Sequence, residues 1–384
     1  MSFSSKKAEQ KLLLVLDIQS SAVRSSLNLC LTGQKPHILF TYNADLLFKA
    51  ETDSKSLISM TLKAIDDNIE AVKQYMNIRA NSKVSKIPGK ITAVHYVLSS
   101  PWIVSQAKKL SLSFEKSTKI TAEYIRSLIE KERSKLIKTP SEPVKIIEEK
   151  IFDVRLNGYS VSEWEGKETR KLDISFTVSL AGKGMIEFFT EKCAHFVHNH
   201  NIFFHSSLLL QHIAVDRAGQ GGECYALVHV HGEITDVSIT KNEDCIFFGT
   251  LTFGISTFVR KIAAATGNDL KAADSLLELY TGKGLDETHG KGAIATIDTI
   301  SGEWIAELGK SLSEAGVDMA PPLSIILSAK AYDNCFTKAL EKRYPKVKTT
   351  VLSLDDLLPI VTFDREVDRR RLTALYAIAL NFIS

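Results

Sequence analysis

Two stretches of this sequence share a strand–turn–strand pattern, and each opens one half of the chain. The first runs from KLLLVLDIQ (11–19) into AVRSSLNLCL (22–31), and the second from CYALVHV (224–230) into GEITDVSIT (232–240). In both, an apolar run typical of a buried strand leads directly into a polar turn. The backbone N–H groups of such a turn can hold a phosphate. The two halves are therefore predicted to be built alike.

The pattern between and after these units predicts a mixed α/β chain. An apolar stripe at helical spacing predicts a helix that packs on the first sheet with the stripe toward the core, rather than toward a partner. Strand and helix patterns over about residues 90–190 predict a small α+β insert, LSIILSAK (323–330) predicts a buried strand, and residues 367–383 predict a closing helix. The stripe residues are Ile58, Leu62, Ile65, Ile69, Val72 and Met76.

Composition narrows the class of protein. Hydrophobic residues make up 44% of the chain, charged residues make up 24%, and the net charge is +3, which is typical of a soluble globular protein and does not indicate nucleic-acid binding. The basic runs KERSK (131–135) and DRRR (368–371) are interpreted as solvated helix faces.

Cysteine usage and the apolar runs predict a cytosolic location. The five cysteines are odd in number and have no CxxC spacing, which favours buried free thiols in a reducing compartment. The polar N-terminus lacks the apolar core of a signal peptide, and the longest apolar run, near 202–215, is too short to span a bilayer.

Four segments carry a resemblance to a known superfamily: VLDIQSSAV (15–23), LVHVHGEITDVSI (227–239), FFGTLTFG (247–254) and IILSAKA (325–331). In this order they resemble the actin-like ATPases, and within them the FtsA/PilM type of cell-division and pilus-assembly proteins. The resemblance implies an actin-like (ribonuclease H-like) two-lobed α/β fold with a small α+β insert domain. The implied divisions are 1–89 (first lobe, N-terminal part), 90–198 (insert), 199–216 (return to the first lobe), 217–350 (second lobe) and 351–384 (C-terminal strand and closing helix).

The same resemblance implies a cleft in which the two turns face each other across the phosphates of ATP. Asp17 matches the acid that holds Mg²⁺ through water, and Gly254 matches a glycine that lets a helix start near the ligand. The residues that would bind the nucleotide, if binding is retained, are Asp17, Ser20, Ser21, Gly232, Glu233, Thr235, Asp236, Gly254 and Ser328.

Several positions depart from the family pattern. Gln19 and His231 stand where glycines are usual, and His229 replaces an acid. Imidazole is a poor substitute for carboxylate at Mg²⁺, and a side chain in the turn obstructs a phosphate. In the adenosine region Ala329, Lys330 and Ala331 replace glycines. These departures favour a cleft that binds nucleotide poorly and does not hydrolyse it; retained weak binding is the alternative.

No catalytic residue is assigned. Such folds supply a polar side chain from the helix before the second turn, and Gln211 and His212 both lie near that place. Their spacing does not choose between them.

Two histidine clusters raise the question of a metal site. The group at 193–205 contains Cys193, His195, His198, His200 and His205, and for its histidines solvent-exposed or helix-end positions are favoured over a zinc site. His229 and His231 share one strand face and form a conceivable two-histidine site, but the sequence offers no third ligand.

The function implied by the resemblance is that of a cytosolic scaffold in a type IV pilus or related secretion machine. It would bind the cytoplasmic tail of an inner-membrane protein through the insert, or through the groove between the insert and the first lobe. Self-association is possible, and direct membrane anchoring is not expected, because the chain ends in the fold's own closing helix. The alternatives are an FtsA-like division protein that polymerises at the membrane and an active ATPase.

Overall fold

The computed structural model describes residues 10–46, 53–80, 89–137, 143–242, 244–282, 284–285, 287–329 and 332–383. Within them the strands are β1 (Gln10–Ile18), β2 (Ala22–Leu31), β3 (His37–Asp45), β4 (Ala93–Leu98), β5 (Val104–Lys119), β6 (Val144–Leu156), β7 (Tyr159–Ser160), β8 (Glu168–Gly182), β9 (Ile202–Ser206), β10 (Cys224–Val230), β11 (Thr235–Lys241), β12 (Asp244–Leu251), β13 (Ser324–Ser328), β14 (Lys348–Val351) and β15 (Thr362–Phe363). The helices are α1 (Ser54–Ala80), α2 (Ala122–Ile137), α3 (Lys183–Cys193), α4 (Ser207–Arg217), α5 (Ile255–Thr266), α6 (Leu270–Thr281), α7 (Glu287–Glu314), α8 (Asp333–Arg343), α9 (Leu354–Leu357) and α10 (Arg371–Ile383).

The first lobe is built on a six-stranded sheet in the order β15-β3-β2-β1-β4-β9. β1 pairs with β2 in antiparallel and with β4 in parallel orientation. On the outer face, α1 and α3 bury an apolar core that includes Ile65, Ile69 and Val72. The predicted stripe is wrong at its start, because Ile58 is 45% exposed and is not part of that core.

The second lobe repeats this opening. Its five-stranded sheet has the order β12-β11-β10-β13-β14, again with a central antiparallel pair and a parallel neighbour on the other side. Helices α5 to α8 cover the outer face, where the fully buried Trp304 meets the ring of Phe336 edge-on at 4.7 Å. The predicted similarity of the two halves is thus present in the strand order.

Helices α4 and α10 lie between the two sheets. Their buried residues form one core with the inner faces of both lobes, for example Leu13 of β1 and Leu227 of β10. These two helices therefore connect the lobes through a continuous apolar layer, beneath the edge where the two turns meet.

The insert is a four-stranded antiparallel sheet, in the order β5-β8-β6-β7, with α2 packed on it and a core of its own. The expected start of the insert at residue 90 is too early. β4 pairs in parallel with both β1 and β9, so it belongs to the sheet of the first lobe. We propose that the insert covers residues 104–182.

Within the described residues, none of the helices combines the length and the apolar character that crossing a bilayer requires.

Candidate functional site

The two turns at the ends of β1 and β10 lie in direct contact. A Cβ placed on Gly232 would be 2.8 Å from Ser21 Cβ and 3.2 Å from Ser21 Cα. The backbone N–H of Glu233 donates a hydrogen bond to Ser20 Oγ at 3.2 Å. The structure therefore brings Ser20, Ser21, Gly232 and Glu233 together, and protein atoms of one turn fill the space beside the other.

Asp17 is buried, and one of its two carboxylate oxygens is already bonded within the protein. Its Oδ2 accepts hydrogen bonds from Gln19 Nε2 at 2.9 Å and from Arg24 Nη1 at 3.2 Å. Burial raises the pKa of Asp17 above its usual range, although Arg24 and His231 act in the opposite direction. Gln19, where the family has glycine, thus ties down the carboxylate expected to serve magnesium.

The two histidines of the second turn are buried side by side, with ring centroids 3.8 Å apart. His229 accepts a hydrogen bond from the Gln211 amide at 3.1 Å. Burial holds the pKa of His229 well below its ordinary value, and neighbouring His231 adds to this, so that His229 is neutral. His231 Nε2 lies 3.2 Å from Asp236 Oδ2.

Asp236 links the second lobe to the first. Its carboxylate accepts the backbone N–H of Ser100 at 3.1 Å and the hydroxyl of Thr250 at 3.0 Å. Burial alone would raise the pKa of Asp236, but nearby His231 and the N–H of Ser100 outweigh it and bring that pKa below the usual value. Asp236 therefore remains ionised, as part of a contact between the lobes.

Two further predicted binding residues are also occupied by protein partners. The fully buried Thr235 hydroxyl donates to the carbonyl of Phe253 at 2.6 Å and accepts from Trp304 Nε1 at 3.1 Å. Glu233 forms a two-pronged ion pair with Arg260, at 3.2 and 2.6 Å.

Gly254 is required by the backbone of the turn. A Cβ at this position would be 2.4 Å from the carbonyl oxygen of Gly232 and 2.5 Å from the backbone nitrogen of Ile234. The first N–H groups of α5 donate to the turn, Ile255 to His231 at 2.9 Å and Ser256 to Gly232 at 2.6 Å. The first N–H groups of a helix can bind a phosphate, but in α5 these N–H groups are already bonded to carbonyl groups of the turn.

A cavity of about 230 Å³ opens beside the turns and is lined by residues of both lobes. Ser21 and Ser328, both predicted binding residues, line it together with His229. The sequence interpretation missed the part of the wall that Arg369, Arg370 and Arg371 form. Arg369 is exposed, as a solvated residue should be, but it and Arg370 precede α10 and do not belong to a helix face. Of the adenosine-region departures, Lys330 and Ala331 lie outside the described residues.

The residues of the cleft do not fit a magnesium nucleotide in this arrangement. Mg²⁺ prefers carboxylate and water oxygens, yet Asp17 is held by Arg24 and Gln19. The Glu233 N–H is bonded to Ser20. The cavity of about 230 Å³ is also smaller than the roughly 300–1,000 Å³ usual for small-molecule sites.

A second, larger cavity of about 910 Å³ lies between the first lobe and the insert. Its walls are mostly apolar and come from α1, from α3, from the segment after β4 and from the start of β6. The residues whose side chains form these walls include Ile58, Leu62, Trp102, Val144, Met185 and Phe188.

The histidine cluster at 193–205 is dispersed. His195, His198 and His200 are exposed, but His205 is buried, so the expectation of an exposed or helix-end position is wrong for His205. Its Nδ1 meets Glu148 Oε1 at 3.0 Å, and its Nε2 meets His95 Nδ1 at 3.0 Å. Over the described part of the chain, no group of three or more His, Cys, Asp or Glu residues is placed to hold a metal ion.

Gln211 and His212, the two polar residues of α4 singled out in the sequence, both have protein partners. Gln211 Nε2 lies 3.0 Å from Ser207 Oγ in addition to its bond with His229. His212 Nδ1 meets the hydroxyl of Tyr225 at 2.7 Å, and burial lowers the pKa of His212 to about 4. Neither contact assigns a catalytic role.

The sequence and the structure were each compared with those of known proteins. No model of a protein family and no curated protein matches the sequence. One chain of the PilM-PilN type IV pilus biogenesis complex matches the structure with a TM-score of 0.60, at 14% identity and over 96% of both chains. The protein has the actin-like ATPase fold.

Two other similar structures have lower TM-scores. The ethanolamine utilization protein EutJ from Carboxydothermus hydrogenoformans gives 0.44, at 11% identity, over 98% of this chain and 91% of its own. The activator of the 2-hydroxyisocaproyl-CoA dehydratase from Clostridium difficile, with bound ADPNP, gives 0.40, at 9% identity, over 97% and 94%. The fold assignment rests on the PilM-PilN match, and the predicted actin-like fold is confirmed. The predicted α+β insert is present as the four-stranded sheet with α2.

Proposed function

We propose that this actin-like protein is a scaffold of a type IV pilus or related secretion machine, which binds the cytoplasmic tail of an inner-membrane protein. The observation that carries the proposal is the apolar groove of about 910 Å³ between the first lobe and the insert. It is supported by the fold shared, over nearly the full chain, with a member of the PilM-PilN type IV pilus biogenesis complex.

The groove has the chemistry of a peptide site. Trp102, Met185 and Phe188 supply large apolar contacts, and aromatic and methionine side chains are favoured where one surface must hold another chain. Ile58 leaves 45% of its surface exposed on α1 at the edge of this groove. The expected occupant is a short segment with two or more apolar anchors.

The closed cleft is consistent with a docking role that does not use magnesium-dependent ATP hydrolysis. The acid expected to serve the metal is paired with Arg24, and the two turns hold each other through Ser20 and Gly232. We propose that the protein retains the lobes as a rigid support for the groove and does not hydrolyse nucleotide.

The test is a pull-down from native membranes with tagged protein, comparing two matched variants. Ile58 and Ile78 are both exposed isoleucines of α1, at 45% and 71%, and of the two only Ile58 lines the groove. Ile58→Asp is expected to lose the membrane-protein partner recovered by the wild type, and Ile78→Asp is expected to retain it. Identification of the recovered proteins by mass spectrometry should give pilus or secretion components.

Three results would contradict the proposal. Recovery of division proteins without pilus or secretion components would favour the FtsA-like alternative. Equal recovery by the two aspartate variants would show that the groove is not the docking site. Steady release of phosphate from ATP, abolished by Asp17→Asn, would favour an active ATPase.

A further inference from the structure

The small cavity beside the turns has an unusual charge for its size. Four of its eleven lining residues are arginines, Arg24, Arg369, Arg370 and Arg371, and none of the eleven is an acid. The neutral lining residues include two hydroxyl donors, Ser21 and Ser328. The wall therefore presents positive charge and hydrogen-bond donors, which is the environment that binds an anion.

Three of these arginines, Arg24, Arg370 and Arg371, are held in place by ion pairs with acids that do not line the cavity. Arg24 pairs with Asp17, and Arg370 pairs with Asp368. A guanidinium has five N–H donors in a fixed plane, so one or two bonds on one side leave donors for the cavity. The ion pairs thus orient these side chains and leave some of their N–H donors free to bind a ligand in the cavity.

Arg371 and Arg369 complete the wall in different ways. Arg371 pairs with Asp333 and donates to the carbonyl of Leu352. The guanidinium of Arg369 stacks over the ring of Phe363 at 5.9 Å, and among the described residues no carboxylate lies within ion-pair distance of it. Arg369 is therefore the arginine with the most uncompensated charge at the mouth of the cavity.

We propose that this cavity binds a small phosphate-bearing anion without a metal ion, with the arginines supplying the positive charge that magnesium supplies in nucleotide clefts. Arginine is suited to this role because its planar fork matches two phosphate oxygens at once. The cavity volume of about 230 Å³ is enough for an inorganic phosphate or a short phosphate ester, and it is below the roughly 300–1,000 Å³ usual for small-molecule sites.

The position of the cavity gives the anion a structural consequence. Ser21 and Arg24 come from the first lobe, Ser328 comes from the second, and Arg369 comes from the segment before α10. A bound anion would contact all three parts and so stabilise the closed arrangement of the lobes.

The test uses inorganic phosphate and pyrophosphate as probes, each with EDTA and again with added Mg²⁺, against sodium chloride at matched ionic strength. Thermal unfolding is expected to shift upward as either probe is added, by the same amount with EDTA as with Mg²⁺. Arg369→Gln is expected to weaken binding about tenfold or more, since it removes a charged hydrogen-bond donor. Isothermal titration calorimetry measures the affinity of each probe for the wild type and for Arg369→Gln directly.

Arg365→Gln is the matched control, because Arg365 is exposed on the same segment and does not line the cavity. It should bind the probes as the wild type does. The proposal is overturned if neither probe binds, if binding requires Mg²⁺, or if Arg369→Gln and Arg365→Gln bind equally well. This outcome is independent of the groove, since Arg369→Gln should still recover the membrane partner in the pull-down.

Discussion

Replacing Gly232 by alanine tests whether the two turns touch in solution. The added Cβ would lie 2.8 Å from Ser21 Cβ, 3.2 Å from Ser21 Cα and 3.4 Å from the carbonyl oxygen of Ser20. Two of these three atoms are backbone atoms, and the third is fixed to the backbone by one bond. No side-chain rotation can relieve the overlap, so the turns must separate by several tenths of an ångström.

The cost of this separation has two parts. Overpacking a well-packed contact typically costs about 1–3 kcal/mol. Moving the turns apart also weakens the bond between the Glu233 N–H and Ser20 Oγ, worth about 1 kcal/mol. We expect Gly232→Ala to lower the free energy of unfolding by about 2–4 kcal/mol.

Urea unfolding followed by circular dichroism measures this change through the midpoint, provided the slope stays constant. Gly302→Ala is the control, because Gly302 lies inside α7 and an added Cβ would have no atom within 4 Å beyond the neighbouring backbone of its own helix. It should be neutral or stabilising by up to about 1 kcal/mol. Equal stability of Gly232→Ala and the wild type would refute the contact between the turns.

Three further substitutions test the surroundings of the turns. Gly254→Ala puts a Cβ 2.4 Å from the Gly232 carbonyl oxygen. We therefore expect a larger loss of unfolding free energy than for Gly232→Ala, or no soluble protein. Urea unfolding and the expression yield measure these two outcomes. Thr235→Val leaves the Trp304 N–H without its acceptor, and should cost about 1–3 kcal/mol in the same unfolding measurement. Burial lowers the pKa of His95 to about 3, so below pH 6.5 the unfolded chain binds a proton that the folded protein does not. Stability should therefore fall as the pH drops, and His95→Phe should remove about 2 kcal/mol of the loss between about pH 7 and pH 5, seen in urea midpoints at the two pH values.

The strand and helix pattern was largely readable from the sequence, because the apolar runs follow the period of the element that buries them. The two strand–turn–strand units lie at the centres of their sheets, where burial on both faces produces a continuous apolar run. Helix α8 was missed, because its short sequence DNCFTKALEKR carries only three buried residues, Cys335, Phe336 and Leu340.

The pairing of strands that are distant in the chain could not be predicted from the apolar pattern of the sequence. The strand at 93–98 has the apolar pattern of a buried strand, but its sequence does not state which sheet it joins. It was assigned to the insert by position along the chain, whereas parallel pairing with β1 and β9 places it in the first lobe.

Some residues of the cleft could also be predicted from the sequence, and others could not. The resemblance to the actin-like ATPases predicts that Asp17, Ser21 and Gly232 lie in facing turns, and the structure brings Ser21 and Gly232 into contact. The arginines at 369–371 were assigned to a solvated helix face, since a run of like charges gives no sign of what it faces. Arg24 gave no signal either, because its pairing with Asp17 depends on the register of β1 against β2.

The most direct test of the closed cleft is a titration of the purified protein with fluorescent ATP in the presence of Mg²⁺. Because Asp17 is held by Arg24 and Gln19 and the two turns are in contact, we expect no saturable binding that depends on Mg²⁺. Mg²⁺-dependent binding at micromolar nucleotide that is lost in Asp17→Asn would show that the turns open to take a nucleotide, and would contradict the account.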